Sequence, residues 1–251
     1  MLRNWPISGL RIATPDVELR WPSMDDLDAL ADRAGEGVHD PAYMPFFSEW
    51  SDGDPEVVAR RVLQRHWRAL GSWRPEDWTL YLAVVHQDTV VGSQSIGAKD
   101  FARTQEVQLT SWLGYGFHGK GLGTHARAAL LHLAFEGLGA EHAVVVVRQD
   151  NEPSQGVCRK FGFVRDGTQI NAVRGQAVVS DRYRLDRQSW SAHLSPTVTI
   201  SGLEPGLALF GLESGDVTAQ AGSATLAERP AVTAPALSGV RYYEEADQGA
   251  D

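Results

Sequence analysis

The 251 residues are enough for one sizeable domain or two small ones. A hydrophobic content of 43% and a charged content of 22% are typical of globular proteins and exclude collagen-like, coiled-coil and fully disordered chains. The net charge of −9 argues against nucleic acid or an anionic membrane surface as a partner. The single cysteine, Cys158, excludes an internal disulfide and a cysteine-based zinc site.

The N-terminal stretch has no uninterrupted apolar segment, and no run of 18 apolar residues occurs in the chain. We therefore expect neither a signal peptide nor a membrane-spanning helix, and we predict a cytoplasmic protein. Residues 195–251 carry −6 of the net charge of −9, and residues 213–241 are rich in Ala, Ser, Thr, Gly and Pro. This composition predicts a domain at 1–194, a short strand and loop extension at 195–215, and a mobile acidic tail at 216–251.

Periodicity and turn signals predict a mixed α/β domain in residues 1–194. The predicted elements are, in chain order, a strand at 17–20, a helix capped by Ser23, a helix at 55–70, strands at 79–86, 89–96 and 106–113, a helix at 124–137, a strand at 142–147, a helix at 154–161 and strands at 163–171 and 178–184. A further strand at 197–202 would allow Leu207 and Phe210 to pack on this domain or on a second subunit.

Five glycines fall between Gly114 and Gly123, after a predicted strand and before a predicted helix. Such a turn allows successive backbone amides to converge on an anion, and the helix N-terminus adds its dipole, so a phosphate or pyrophosphate ligand is predicted. Residues 114–121 come close to a P-loop, but Gly121 stands where the Mg²⁺-binding Ser or Thr would be. Residues 114–119 also fit the dinucleotide-binding pattern GxGxxG. The remaining alternative is a glycine-rich loop that joins the strand to the helix and binds no ligand.

The second half of the cluster, His118-Gly-Lys-Gly-Leu-Gly123, resembles the acyl-CoA pyrophosphate loop of the GNAT N-acetyltransferases, Q/R-x-x-G-x-G/A, with His118 in place of Gln or Arg. Asn151-x-x-Ser154 followed by Lys160-Phe-Gly-Phe163 resembles a second block of that superfamily. The likeness covers about residues 11–193, and Trp112-Leu113 and Leu138-Gly-Ala140 fall where the RimJ/RimL-like subgroup would place them. The stretches at 5–20, 37–46 and 208–211 resemble an actinobacterial branch associated with succinyl-CoA.

This resemblance implies a mixed, mostly antiparallel seven-stranded sheet in which strands 106–113 and 142–147 splay apart to admit pantetheine. It implies acetyl-CoA or succinyl-CoA as acyl donor and no metal, in agreement with the spacing of the eight His. The residues implied to bind CoA are Trp112, Leu113, His118, Gly119, Lys120, Gly121, Leu122, Gly123, Thr124, Asn151 and Ser154. For Asn151 the alternative is a turn cap before the helix.

Acyl transfer to an amine needs a base for the amine and an acid for the leaving thiolate. The family often places a Tyr where this chain has Cys158, so Cys158 is a candidate acid, with a small buried apolar residue as the alternative. Ser154 resembles the acid of RimL-like enzymes, and its alternative role is helix N-cap. The candidate bases are Glu106 and Gln108 on the strand at 106–113, acting with water, and His39 and Asp40 in the aromatic loop.

The aromatic loop at 39–50 is the candidate wall of the acceptor pocket, with His39, Asp40, Met44 and Phe46, or else a cap on the core. If the donor is succinyl-CoA, its distal carboxylate requires a cation or hydroxyl, and the candidates are Lys99, Arg103 and Arg174. The predicted function is transfer of an acetyl or succinyl group to a protein N-terminus, a lysine or a small-molecule amine, in a homo-oligomer. The alternative is a non-catalytic protein that binds acyl-CoA.

Overall fold

A computed structural model describes residues 1–190 and 196–212, and all structural statements below concern these residues. They form one nine-stranded sheet with helices on both faces. The strands are β1 (Arg11–Ala13), β2 (Glu18–Arg20), β3 (Asp77–His86), β4 (Thr89–Lys99), β5 (Glu106–Leu113), β6 (His142–Arg148), β7 (Val164–Val173), β8 (Gln176–Asp186) and β9 (Thr199–Ser201). The helices are α1 (Met24–Gly35), α2 (Pro55–Gly71), α3 (Phe101–Thr104), α4 (Leu122–His132) and α5 (Glu152–Lys160), and α4 continues as a π-helical turn over Leu133–Gly137.

Local sequence chemistry explains where several elements begin. The Ser23 hydroxyl accepts from the Asp26 amide at 3.0 Å, while the Asp26 carboxylate accepts from the Ser23 amide at 3.0 Å, which forms the capping box of α1. Pro55 lies in the first turn of α2, where its missing N–H costs nothing. Gln87 and Asp88 both have positive φ and join β3 to β4 in a two-residue hairpin.

The strand order is β7-β8-β6-β5-β4-β3-β2-β1-β9, and every neighbouring pair is antiparallel except β5 and β6. One face is covered by α1 and α2, whose Leu30, Val58 and Val62 pack against Val85 and Val90. The other face is covered by α4, which contributes Leu130, Leu131 and other residues to the larger core cluster.

The parallel strands β5 and β6 pair over three positions only, from Glu106 opposite His142 to Gln108 opposite Val144. Beyond Gln108, β5 remains paired with β4 as far as Leu113, and β6 remains paired with β8 as far as Arg148. The sheet therefore opens into a V between two strands that are each held on their outer side. The predicted divergence of these two strands is confirmed.

The segment 196–212 belongs to the same core. β9 pairs with β1, with Ile200 opposite Ile12. Phe210 is fully buried, with its ring centroid 4.7 Å from that of Trp78. The backbone of Gly202 comes so close to Gly9 that a Cβ at this position would lie 2.2 Å from the Gly9 carbonyl oxygen. Sequence analysis left open whether Phe210 packs on the domain of its own chain or on a second subunit. In the structure it packs on its own domain.

The sheet has nine strands rather than the expected seven because β1 and β9 add to one edge. The strand predicted at 197–202 contains β9, whereas β1 was not predicted, because three residues are too few for an alternating pattern to stand out. The helix predicted at 124–137 begins at Leu122, because Gly121 takes a left-handed conformation directly before it. The tail predicted at 216–251 lies outside the described residues. In the described part of the chain, no helix is both long and apolar enough to cross a membrane.

Candidate active site

A cavity of about 680 Å³ occupies the V between β5 and β6 and passes from one face of the sheet to the other. Its walls come from the aromatic loop, the free edges of β5 and β6, the glycine turn before α4, and α5. On the α4 face the walls include Ser111, Arg127 and Cys158; on the opposite face they include His39, Phe46 and Trp112. Ligands can therefore approach the same point from both sides of the sheet.

The glycine turn forms one mouth of the cavity. Gly119 and Gly121 have φ of +74° and +80°, and apart from their chain neighbours no atom of the described residues lies within 4 Å of the position where a Cβ would be. The amides of Leu122 and Gly123 open α4 and have no acceptor one turn earlier in the helix. This geometry leaves amides free beside open space at a helix N-terminus, which is suited to a diphosphate.

His118 and Lys120 do not belong to this set of free donors. The Nε2 of His118 lies 3.0 Å from the Leu113 carbonyl oxygen, and the ring packs edge-on against Tyr115. The Lys120 ammonium lies 5.1 Å from the Phe117 ring centroid. His118 lines the cavity and Lys120 does not, so the side chains of both residues brace the turn while the main chain faces the ligand space.

The free edge of β5 offers main-chain groups to the cavity. The Gly114 amide donates to the Val91 carbonyl at 2.8 Å, which fixes the alternation of the β4–β5 ladder. Main-chain groups of residues 109, 111 and 113 consequently point away from β4 and toward the gap. At Leu113 the carbonyl is already bound by His118. An extended chain with amide groups can therefore pair with β5 as an additional strand, chiefly at Leu109 and Ser111.

The first turn of α5 lines the far side of the cavity. The Asn151 side-chain oxygen accepts from the Ser154 amide at 3.2 Å, so Asn151 is the N-cap of α5, as in the alternative considered for it. Ser154 is not the N-cap: it lies in the first turn, and its hydroxyl has no hydrogen-bond partner among the described residues. Both residues also line the cavity.

Cys158 lies one turn further along α5, with 4% of its surface exposed. Burial raises the pKa of its thiol to about 11, although the positive charge of Arg127 opposes this shift. The thiol is therefore neutral at physiological pH. It holds its proton more tightly than an ordinary thiol, whose pKa is about 8.5.

Of the two candidate bases on β5, Gln108 lines the cavity and Glu106 does not. The Glu106 carboxylate lies 2.7 Å from Arg184 and 3.6 Å from Arg182, both on β8, which is separated from β5 by β6. Glu106 is thus part of an ion-pair cluster at the closed end of the V. The strand spacing that placed both residues on one face could not show this pairing.

The aromatic loop walls the mouth opposite the glycine turn. His39, Asp40 and Phe46 line the cavity, whereas Met44 is buried beneath the loop, 3.8 Å from the Ser51 hydroxyl. Both His39 ring nitrogens are engaged at 2.8 Å, with the Asp40 carbonyl and the Ser51 hydroxyl. His39 is therefore held in one orientation at the cavity wall.

Two contacts hold this loop against the far side of the V. The Tyr43 hydroxyl donates to Asp150 at 3.0 Å, and Arg148 forms a two-pronged ion pair with the same carboxylate. Burial and the Asp150 charge raise the pKa of the Tyr43 hydroxyl. Arg174, in the β7–β8 hairpin, pairs through two hydrogen bonds with Asp52. The loop thus bridges the open end of the sheet.

None of the three residues considered for a donor carboxylate lines the cavity. Arg174 is paired with Asp52 as described, Lys99 lies 3.6 Å from Asp77, and the Arg103 side chain is 84% exposed. The cationic side chains that do line the cavity are Arg127 and Lys160. Sequence analysis missed Arg127, although its spacing of four residues from Gly123 places it on the same helix face as the glycine turn.

In the described part of the chain, no group of three or more His, Cys, Asp or Glu is placed to hold a metal ion. A parallel strand pair that diverges around a cavity, with a glycine turn and helix N-terminus at one mouth, defines a protein that binds an extended phosphate-bearing cofactor. Residues 16–164 match the family model described as the acetyltransferase (GNAT) domain. Because the match covers more than half of the 251 residues, the chain belongs to this family of acetyltransferases.

Several solved structures share the fold. Mycobacterium smegmatis RimJ in complex with CoA-disulfide is 19% identical with a TM-score of 0.60, over 75% of this chain and 94% of that chain. RimL, a ribosomal alpha-N-protein acetyltransferase in complex with coenzyme A, is 17% identical with a TM-score of 0.53, over 69% and 95%. The microcin C7 self-immunity acetyltransferase MccE, in complex with acetyl-CoA and AMP, is 18% identical with a TM-score of 0.52, over 68% and 93%.

Proposed function

We propose that this protein transfers an acyl group from a coenzyme A thioester to an amine by direct attack of the amine on the thioester carbonyl. The observation that carries the proposal is the cavity that runs through the V of the sheet. This cavity joins an opening suited to phosphate, at Gly119–Thr124, to a second opening at the aromatic loop. Donor and acceptor can therefore meet from opposite faces.

In this proposal the groups along the cavity hold the donor. The glycine turn, with the free amides of Leu122 and Gly123, takes the CoA diphosphate. Pantetheine runs along the free edge of β5, where its amides pair with main-chain groups of Leu109 and Ser111. Acetyl-CoA is supported as donor by the family and by the acetyl-CoA complex of MccE. Succinyl-CoA is the other donor that the sequence resemblance suggested.

The reaction forms a C–N bond and breaks the C–S bond. The attacking amine must be neutral and must lose a proton, which we assign to water held by Gln108 at the cavity wall. The leaving thiolate must be stabilised or protonated. Ser154, whose hydroxyl is free at the cavity wall in the described chain, is placed to donate a hydrogen bond to the thiolate. Cys158 is the second candidate, and burial, by raising its pKa, makes it a weaker acid than an ordinary thiol.

The acceptor approaches beside His39, Asp40 and Phe46. A protein N-terminus, a lysine or a small-molecule amine would each fit through the open mouth. The name of RimL, a ribosomal alpha-N-protein acetyltransferase, makes protein N-termini the first class to test.

The test is to incubate the protein with acetyl-CoA or succinyl-CoA and a panel of peptides and small amines, and to measure CoA release by chromatography. We expect release that depends on the amine, with the acylated product identified by mass spectrometry. Ser154→Ala should slow turnover more than Cys158→Ala, with little change in CoA affinity. Tight CoA binding without turnover on any amine would contradict the proposal and favour a non-catalytic acyl-CoA-binding protein.

A further inference from the structure

A buried arginine stands in the α4 wall of the cavity, and the mechanism above gives it no role. Arg127 is 7% exposed and lines the cavity. Its Nη2 donates to the Ser111 hydroxyl at 3.0 Å, whereas its Nη1 is buried without a hydrogen-bond partner in the described chain. No acid of the described residues forms an ion pair with Arg127, in contrast to Arg148 and Arg174, which are each paired with an aspartate.

The side chains around Arg127 do not cancel its charge. A guanidinium keeps its proton under any ordinary condition. Ser111 is neutral, and so is Gln94, which lies opposite Ser111 across the β4–β5 ladder and also lines the cavity. An isolated charge in a protein interior is costly. A buried cation beside open space is therefore suited to negative charge that develops inside the cavity.

Acyl transfer creates such a charge on the CoA sulfur. The diphosphate is assigned to the glycine turn, about one and a half turns of α4 before Arg127, and pantetheine and the thioester are neutral. As the amine nitrogen bonds to the carbonyl carbon and the C–S bond breaks, the electron pair of that bond passes to sulfur. The amine proton goes to the water assigned to Gln108. A thiolate is thus formed at the inner end of pantetheine.

The proposed mechanism places this sulfur within electrostatic range of Arg127. Ser154 and Cys158, the two groups assigned to the leaving thiolate, lie on α5 and line the cavity. Burial raises the pKa of the Cys158 thiol, and the positive charge of Arg127 opposes that rise. Arg127 therefore acts on a sulfur atom at this position of the cavity wall. Little water screens a charge in such a site, so its effect extends over several ångströms.

We propose that Arg127 stabilises the CoA thiolate as it leaves, through the field of its charge rather than through a direct contact. This inference rests on the proposed function and adds a residue to its mechanism. The hydrogen bond to Ser111 holds the charge in place before the reaction, so no reorganisation is needed while the C–S bond breaks. Because the bound thioester is neutral, the charge favours the transition state over the bound donor. Ser154 then supplies a hydrogen bond to the thiolate, and Arg127 supplies the compensating charge.

Other groups that carry or can acquire a charge also line the cavity. They are Lys160 and Cys158 on α5, His118 and Tyr115 at the glycine turn, and His39, Asp40 and Tyr43 on the aromatic loop. Lys160 is the second cation of this set, and its side chain is exposed, so that water and salt screen it more strongly than Arg127. Lys160 therefore provides the matched control for Arg127.

The first measurement titrates the thiol of bound CoA by the ultraviolet absorbance of the thiolate, as the difference between samples with and without saturating CoA. The parent is Cys158→Ala, which removes the only cysteine of the chain. We expect Arg127→Met in this parent to raise the pKa of the bound CoA thiol by about one unit, a tenfold loss of acidity. Arg127→Lys, which keeps the charge, and Lys160→Met should both stay close to the parent. Arg127→Gln gives the same comparison if Arg127→Met does not fold.

The second measurement separates transition-state stabilisation from donor binding. With the most active amine of the panel above, Arg127→Met should lower the single-turnover rate of acyl transfer roughly 10-fold, while its dissociation constant for CoA at pH 7 changes by less than about 3-fold. Thermal unfolding checks that each variant is folded.

Three results would overturn the inference. They are an unchanged pKa of the bound CoA thiol in Arg127→Met, an equal rise in Lys160→Met, and a loss of CoA affinity in Arg127→Met without a loss of rate. The last result would mean that Arg127 holds the donor rather than the leaving charge. Failure of the unaltered chain to bind CoA would instead contradict the proposed function itself.

Discussion

At the level of single residues, two glycines allow the effect of backbone conformation to be measured apart from the effect of ligand contact. Gly121 and Gly175 both have positive φ and open space at the Cβ position, but only Gly121 lies at the cavity. A side chain at either residue should cost about 1 to 2 kcal/mol of stability, because the left-handed conformation suits glycine.

We therefore predict that Gly121→Glu reduces CoA affinity by more than roughly 10-fold. The glutamate carboxylate would occupy the space of the diphosphate and repel its negative charge. Gly175→Glu, in the β7–β8 hairpin, is the matched control and should bind CoA as the wild type does. Calorimetric titration with CoA and thermal unfolding of both variants make the comparison. Unchanged affinity in Gly121→Glu would show that the turn does not hold the diphosphate.

Cys158 provides a direct measure of the electrostatics of the cavity, because it is the only cysteine in the chain. Its folded-state pKa of about 11 lies above the ordinary value for a thiol. Unfolded chains therefore lose this proton first as the pH rises. The free energy of unfolding should accordingly fall between pH 9 and 11, by roughly 1.4 kcal/mol for each unit of the shift in pKa.

Ultraviolet absorbance of the thiolate in the native protein should give the titration midpoint, and Cys158→Ala should remove this contribution to the pH dependence of unfolding. In Arg127→Met the midpoint should move higher, since the Arg127 charge favours the thiolate. A midpoint near the ordinary thiol value would mean that water reaches Cys158 freely.

Single residues are also where sequence analysis found and missed parts of the site. The glycine turn was found because a cluster of glycines directly before a helix has few functions other than binding an anion. Arg127 was missed because it stands among alanines and leucines on a helix whose burial could not be judged from periodicity alone. In the part of the chain that the structure describes, its Nη1 has no hydrogen-bond partner, which depends on residues distant in sequence and is visible only in three dimensions.

At the level of secondary-structure elements, α2 carries a group that should make the fold sensitive to acid. His66 is 5% exposed on the inner face of this helix, packed near the Trp21 and Tyr81 rings. Burial lowers the pKa of His66 to about 4. The folded protein therefore resists protonation there, whereas the unfolded chain takes up the proton below pH 6.5.

We predict that stability falls as the pH drops from 6.5 to 4, with His66 responsible for roughly 3 kcal/mol of the loss. Urea unfolding at pH 7 and pH 4.5 should show this loss in the wild type. His66→Leu should be less affected by the change of pH. An equal loss in both proteins would assign the acid sensitivity to other groups.

Elements with a strong local signal were predicted well. The boundaries of β5 agree with the prediction, and those of α2 differ by one residue, because alternation and capping determine them locally. Helix α3 was not predicted, since four residues carry no period. The V itself was expected from family resemblance rather than from periodicity, because the pairing of β5 with β6 is a contact between segments distant in the chain.

At the level of the whole molecule, the segment 196–212 is part of the fold and should be indispensable. Leu207 and Phe210 are buried against the core, and Trp73 donates to the Leu209 carbonyl at 2.8 Å. Phe210→Ala should lower the free energy of unfolding by about 3 to 5 kcal/mol, as for other large-to-small substitutions in a core. Chemical denaturation measures this loss, and Leu209→Ala, at a partly exposed neighbour, should cost clearly less.

Deleting residues 216–251 should leave CoA affinity and stability unchanged, because the cavity-lining and core residues of the described chain all lie before residue 213. A chain that ends at residue 195 should fail to fold stably, since it lacks β9 and Phe210. Calorimetry with CoA and thermal unfolding of both truncated chains test this pair of expectations. Loss of CoA affinity on removal of 216–251 alone would place that segment at the ligand.

The pairing of β9 with β1 also bears on the order of events during synthesis. Strand β1 leaves the ribosome early, yet its outer edge is covered only after about 190 more residues have been made. The Trp78 ring likewise has no packing contact with Phe210 until that residue has been synthesised. Until β9 and Phe210 have been synthesised, the nascent chain therefore keeps an open sheet edge and an uncovered aromatic cluster. Such surfaces favour aggregation, so we expect chaperones to bind the chain during this interval.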